Sequence, residues 1–398
     1  VDEWLADAVG PIRSAHGDQP EVQAELLRIL GQGYRSLGRL ETAEQLLHEA
    51  LALRPQAEGG AGARELDALG LLYLDQGKLD AAEIHISRAL ELRRRARAGD
   101  AELAESLNSL GRLHLARGEP GDAEALFRQA LALRRRALGP ASREASVSLN
   151  NLGVALLETD QTAAARQAFE EALSLRRRLF GEDHLLVANS LHNLASLLTD
   201  LGDLDTAERY QREALDIYGH RLEADHGSTA AGLYNLARLQ QAGGRTAEAL
   251  VAIQEAVAIN RRRAQPLDLA SARMLEGVLL FAAGRLGTAE EAFSEALDLR
   301  RDHLGSAHPA FASTLYSLLE VLRRSDADDP AVELLAAAAD AWQSTGGPRA
   351  WDLPYVRAQL ARLRGDRDAF GTAVASLRDS NRDDLATALE AAWPAAGE

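Results

Sequence analysis

Cysteine is absent from all 398 residues. That excludes a disulfide framework, a thiolate nucleophile and any cysteine-held metal or cluster, and it leaves the compartment open. Aromatic residues make up only 5% of the chain and methionine occurs once. No apolar run reaches the roughly 18 residues that a membrane helix needs; the best stretch, Leu267 to Gly284, is broken by Asp268, Arg273 and Glu276. No signal-peptide pattern opens the chain and residue 1 is Val, so the expectation is a soluble excerpt of a longer protein, or a processed form. A basic excess is lacking too. The 44 Lys+Arg against 60 Asp+Glu give a net charge of −16, which argues against a nucleic-acid surface or contact with an anionic membrane.

What is present is alanine, leucine, arginine and glutamate, residues that lose little on entering a helix. The hydrophobic share of 46% suffices for a core and excludes wholesale disorder. The length allows two or three domains, or one long repetitive one. Periodicity decides for the repeat. A small residue recurs at Gly31, Gly70, Gly111, Gly153, Ala195, Ala237 and Gly277, with Leu319 in the eighth place; the spacings are 39, 41, 42, 42, 42, 40 and 42. Twelve residues after each stands an alanine (Ala43, Ala82, Ala123, Ala165, Ala207, Ala249, Ala289, Ala331), and seven further on another (Ala50, Ala89, Ala130, Ala172, Ala214, Ala256, Ala296, Ala338). Between the two alanines most repeats carry a large apolar residue, as in Leu47, Phe127, Phe169 and Phe293.

This spacing predicts two short antiparallel helices per repeat, joined by a turn at Gly38, Gly77, Gly118, Gly202, Gly244 or Gly284. Small residues let the two backbones approach, and the large residue fills the gap that remains. A bulky side chain at Gly153 or Ala165 should overpack the crossing by roughly 1–3 kcal/mol. No such hairpin buries its apolar face alone, so the repeats are expected to stack into a solenoid.

The pattern resembles the tetratricopeptide repeat (TPR), on segments such as LGQGYRSLGRLETAEQLLHEALALRP from Leu30 to Pro55. Repeats of about 42 residues, with joints such as LRRRLFGEDHLLVANSLHNLA (Leu175–Ala195) and LRRDHLGSAHPAFASTLYSLL (Leu299–Leu319), resemble those of kinesin light chains. Arg273 and Glu276 depart from the pattern, at normally apolar positions of the seventh repeat. The resemblance implies an all-α, right-handed superhelical solenoid of about eight helix-turn-helix repeats over 22–345, an N-terminal capping helix over 1–21, and a degenerate repeat with C-terminal capping helices over 346–398. A second resemblance lies in the opening segment, above all DQPEVQAELL (Asp18–Leu27). It is similar to the stretch that enters the C-terminal TPR region of bacterial membrane-anchored Ser/Thr protein kinases. This would make the chain a sensor or regulatory region of such a kinase, cytoplasmic or periplasmic.

Catalytic patterns are missing. The ten histidines show no metal-ligand spacing. Gly31-Gln32-Gly33 lies within helical periodicity, with no strand before it. No nucleophile elbow or phosphate-cradling loop occurs, so neither enzyme activity nor a cofactor is expected. Asp183-His184 could form an acid–base pair, but it is echoed by Ala307-His308 and reads better as an inter-repeat joint. Arginine runs end the second helices: Arg93–Arg95, Arg134–Arg136, Arg176–Arg178, Arg261–Arg263 and Arg300–Arg301. A phosphate-binding stripe is one reading. Cations favoured by the helix dipole and paired with acids along the same helix are the other. All four tryptophans (Trp4, Trp342, Trp351, Trp393) lie near the ends, where they would cap an open apolar face or, alternatively, bind or self-associate.

In the TPR family the concave groove is lined by positions 2, 5, 6, 9, 12 and 13 of the first helix. The resemblance therefore places Asn151, Asn193 and Asn235 at position 6, Asn108 and Asn150 at position 5, and Asn189, His192, Tyr234, Arg112 and Arg238 around them. Those positions hold seven Arg and seven Asp/Glu over the eight repeats, a near-neutral groove in an acidic chain. Asparagine is a mediocre helix former, so its repetition needs a reason. An amide offers both donor and acceptor and could hold the main chain of an extended peptide, as in kinesin light chains; it could equally brace neighbouring helices. The sequence thus points to a scaffold that binds a protein or peptide segment in its groove.

Overall fold

The computed structural model describes residues 9–13, 19–54, 62–223, 225–325, 327–343 and 347–393, and among them no strand occurs. Contacts divide the chain into two units, residues 1–197 and 198–398. In the first, α1 (Pro20–Ser36) pairs with α2 (Leu40–Ala52), α3 (Ala63–Asp75) with α4 (Leu79–Arg95), α5 (Asp100–Ala116) with α6 (Pro120–Leu138), and α7 (Arg143–Glu158) with α8 (Thr162–Phe180). The unit boundary falls within α9 (Leu185–Asp200). In the second unit α10 (Leu204–Arg221) packs on α11 (Gly227–Ala242). There α11 pairs with α12 (Thr246–Arg262), α13 (Pro266–Ala282) with α14 (Leu286–Leu304), α15 (Pro309–Arg324) with α16 (Asp328–Trp342), and α17 (Asp352–Arg364) with α18 (Arg367–Asp379), before α19 (Asp383–Ala391). Within each unit the second helix of a hairpin also packs on the first helix of the next, the nearest-neighbour stacking of a repeat array.

The small-residue rule has a direct cause. A Cβ added at Gly153 would sit 2.5 Å from Cε1 of Phe169; at Gly111 it would sit 2.6 Å from Phe127, at Gly277 2.7 Å from Phe293, and at Gly31 2.8 Å from Leu47. Phe127, Phe169 and Phe293 are fully buried, so glycine on one helix makes room for the large residue 16 positions later on the other. The hairpins reverse at left-handed residues such as Gly118 (φ 74°), while in the α7–α8 turn Asp160 takes that conformation (φ 59°). The seventh repeat keeps its register despite Arg273 and Glu276. The two side chains pair with each other at 2.6 Å, and Arg273 also meets Glu295 at 2.7 Å.

Consecutive hairpins are joined by a device that the sequence reading did not foresee. The leading arginine of four runs turns inward and grips the next hairpin's first helix. Arg176 Nη1 donates to Ser190 Oγ (2.7 Å) and to the Leu186 carbonyl (2.9 Å); Arg134 Nη1 donates to Ser148 Oγ (2.7 Å) and to the Glu144 carbonyl (2.9 Å). Arg300 repeats this with Thr314 and the Ala310 carbonyl, and Arg93 with Ser106. Arg93, Arg134 and Arg176 are buried. Where the arginine gives way to Tyr218 and Asn260, the residue 14 positions on is Gly232 and Met274 instead of Ser or Thr. Of the exposed arginines in the runs, Arg95 pairs within its helix with Glu91, as expected, whereas Arg136, Arg261 and Arg262 reach beyond their own helices, to Asp100, Glu295 and Asp225.

The histidine joints are helix caps. His184 Nδ1 accepts the backbone N–H of Leu186, His226 Nδ1 that of Ser228, and His308 Nδ1 that of Ala310, each at 3.1 Å. At α7 Ser142 Oγ does the same work for Ala145 N–H at 3.2 Å. An unbonded N–H at a helix start needs an acceptor, so the imidazole must present an unprotonated nitrogen. Burial, together with the Arg263 cation, holds His226 below the usual imidazole range, with Glu223 opposing.

Tryptophans close the C-terminal end. Trp342 is fully buried, donates Nε1–H to the Ser306 carbonyl (2.7 Å) and meets Phe311 edge-on. Trp351 stacks on Tyr316, with the guanidinium groups of Arg349 and Arg382 lying 4.0 and 4.5 Å from its ring. Trp393 lies on Phe370 at 4.3 Å between ring centres. Trp4 lies outside the described residues.

Candidate functional site

The expected groove residues lie on the first helices of the hairpins, Asn108 buried and most of the others half-buried. In the first unit Asn108 and Arg112 lie on α5, Asn150 and Asn151 on α7, and Asn189, His192 and Asn193 on α9. Two amide pairs bridge these helices. Asn151 Nδ2 donates to Asn108 Oδ1 at 3.1 Å, and Asn193 Nδ2 donates to Asn150 Oδ1 at 3.1 Å. Arg176 fixes the second pair, because its Nη1 also donates to Asn150 Oδ1 (3.2 Å); a guanidinium has only donors, so Asn150 must offer its oxygen. Among the described residues these bonds leave Nδ2 of Asn108 and Asn150, and Oδ1 of Asn151 and Asn193, without a further hydrogen bond. Each pair thus braces two helices and still presents one donor edge and one acceptor edge. Asn189 is exposed and His192 half-buried, and neither enters these pairs.

Charges on this face neutralise one another. Arg28 pairs with Glu25 (2.5 Å), while Arg35 and Arg112 both face Asp75 (3.3 and 3.6 Å). At the position that Asn108 and Asn150 occupy on later helices, α3 carries Asp67, buried against Arg93 and accepting from Ser106 Oγ (2.9 Å). Burial pushes Asp67 up to about 7, against the pull of the Arg93 charge. Arg93 and Arg176, which orient this face from behind, were missed as site residues; the signal was an arginine in register with a serine 13 or 14 residues on. In the second unit Tyr234, Asn235 and Arg238 lie half-buried on α11, and Arg238 pairs with Asp200 at 3.1 Å. His114, Glu119 and Asp122 form a cluster of metal-ligand type near the α5–α6 turn, but Glu119 already holds His114 Nδ1 at 2.6 Å.

Family models of the tetratricopeptide repeat match residues 26–61, 63–136, 144–220, 193–262 and 270–310. The chain belongs to the tetratricopeptide repeat family. Among solved structures, this TPR chain is similar to the apo form of RapI (12% identity, 80% of this chain and 86% of that one, TM-score 0.60). It is also similar to a Rap protein complexed with competence and sporulation factor (15% identity, 82% and 89%, TM-score 0.54). The kinesin light chain type of nearly identical TPR-like repeats from Podosopora anserina aligns at 20% identity over 52% of this chain and 97% of that one, with a TM-score of 0.44. At 12% and 15% identity the two Rap likenesses speak to fold alone. No curated protein matches the chain. Among the described residues no helix is long and apolar enough to cross a membrane.

Proposed function

We propose that this TPR chain is a non-catalytic scaffold that binds a protein or peptide segment on its first-helix face. The observation that carries the reading is the half-satisfied amide pair. Asn108–Asn151 and Asn150–Asn193 are held rigid by their mutual bonds, and each keeps a donor edge and an acceptor edge for the N–H and C=O groups of a peptide main chain. Bracing and binding are thus compatible: amides fixed before the ligand arrives lose less freedom on binding it. The Rap protein that shares the fold was crystallised with competence and sporulation factor, which supports ligand recognition on such a scaffold. In the second unit, Tyr234, Asn235 and Arg238 on α11 are assigned to ligand contact by their repeat positions, and no cofactor is needed. Capture from a source lysate with the full chain and with Asn151→Ala/Asn193→Ala, read by mass spectrometry, tests the proposal. Partners that bind only the parent chain support it; identical partner sets overturn it.

A further inference from the structure

A second track runs beside the amides of the first unit. Four residues past the small residue of the hairpin, α3, α5 and α7 carry Leu74, Leu115 and Leu157, at spacings of 41 and 42, and one residue past it α3 and α7 carry Leu71 and Val154. All five are half-buried. Helical geometry puts them on the same face as Asn108, Asn150 and Asn151, three to seven residues further along each helix. Most of the charges on this face are matched, by the Arg28–Glu25 and Arg35–Asp75–Arg112 contacts on the face and by Arg93 from behind it against Glu105; Glu158, at the end of α7, is an exception among the described residues. A ligand crossing here meets aliphatic surface and amide edges, with little net charge, on a chain of −16.

The repeat distance of these tracks selects a ligand conformation. Packed helices stand about 8–10 Å apart. A β-strand crossing them alternates its side chains, so residues about one helix spacing apart point to opposite sides. A polyproline II peptide rises about 3.1 Å per residue with three residues per turn, and so returns the same side-chain direction about every 9 Å. Its main chain has no internal hydrogen bonds, which leaves N–H and C=O groups for the amide edges. We infer that the ligand of this face is an uncharged peptide in polyproline II conformation, with an aliphatic residue at every third position seated on Leu74, Leu115 and Leu157. This rests on the peptide-binding reading above and names its ligand class.

The test is fluorescence anisotropy of the full chain with labelled Leu-Pro-Ala-Leu-Pro-Ala-Leu. The comparison peptides are a respaced isomer, Leu-Pro-Leu-Ala-Leu-Pro-Ala, and versions with every leucine replaced by Glu or by Lys. The period-three peptide should bind, with the respaced and charged peptides about tenfold or more weaker, since one misplaced aliphatic contact costs about that much. Leu115→Ser/Leu157→Ser should weaken it similarly at unchanged helical circular dichroism, while Leu115→Met/Leu157→Met, which keeps the apolar bulk, should bind as the parent does. If a charged or respaced peptide binds as well, and loses that binding in Asn151→Ala/Asn193→Ala, this inference falls and the peptide-binding reading stands. If the period-three peptide binds all variants equally, both fall. If none of the peptides binds, this inference falls, and the lysate capture decides the broader reading by itself.

Discussion

Gly153→Ala pits two opposed effects against each other. Alanine in a helix interior is favoured over glycine by about 0.5–1 kcal/mol. Against that, the new Cβ would lie 2.5, 2.7 and 2.9 Å from Cε1, Cδ1 and Cζ of Phe169, inside ordinary contact distance. The ring cannot give way, because it is buried to 1% exposure between α7 and α8. Overpacking of this kind costs about 1–3 kcal/mol, so the net expectation is a loss of about 0.5–2 kcal/mol. Two comparisons separate the effects. Gly371, inside α18, has nothing within 4 Å of an added Cβ, so Gly371→Ala should stabilise by about 0.5–1 kcal/mol. In a Phe169→Leu background the clash shrinks and Gly153→Ala should turn favourable, giving a coupling of about 1–3 kcal/mol. Urea unfolding followed by circular dichroism gives the free energies. Hydrogen exchange at the α7 and α8 amides locates the loss, since repeat arrays can open hairpin by hairpin. A Gly153→Ala protein as stabilised as Gly371→Ala, or a coupling near zero, would refute the packing argument.

Three further outcomes follow from other parts of the fold. Gln211 stands fully buried where neighbouring repeats have Phe169 or Ile253, and neither amide atom finds a hydrogen bond among the described residues. Gln211→Leu should therefore raise stability by about 1–3 kcal/mol in urea unfolding; a loss would show that the amide is satisfied in solution. Removing the clasp with Arg176→Met takes the donor from the buried Ser190 hydroxyl and releases Asn150, so it should cost about 1–3 kcal/mol. It should also weaken ligand capture although Arg176 lies behind the face; stability loss with capture intact would contradict the orienting role. His226 has a pKa lowered by burial, so its capping contribution is present above the unfolded imidazole value of about 6.5 and lost as pH falls below it. His226→Ser, which copies the Ser142 cap, should flatten that acid slope, with about 1 kcal/mol at stake in the cap; an unchanged pH profile would remove the histidine from the account.

Much of this architecture could be read from residue spacing alone. A hairpin repeat is a local object: the glycine of one helix and the phenylalanine 16 positions on belong to one contact, so the restriction on size shows in the order of residues. The same holds for the left-handed turn glycines and for the joint histidines, whose capping bonds reach only two residues along the chain. Other features depend on which repeat stands beside which. The arginine runs looked like exposed helix ends because nothing in a single helix tells which guanidinium turns inward. Only the stacked neighbour, with its serine hydroxyl and a first-turn carbonyl that accepts a second bond, makes burial of Arg134 and Arg176 tolerable. The asparagines were likewise ambiguous between bracing and binding, since an amide carries a donor and an acceptor and the chain does not say where each points. Periodicity determined that helical hairpins stack and which faces pack; tertiary structure decided that Asn108 and Asn151, and Asn150 and Asn193, bond each other with one edge and keep the other open, because hydrogen-bond direction is set by groups some 43 residues away.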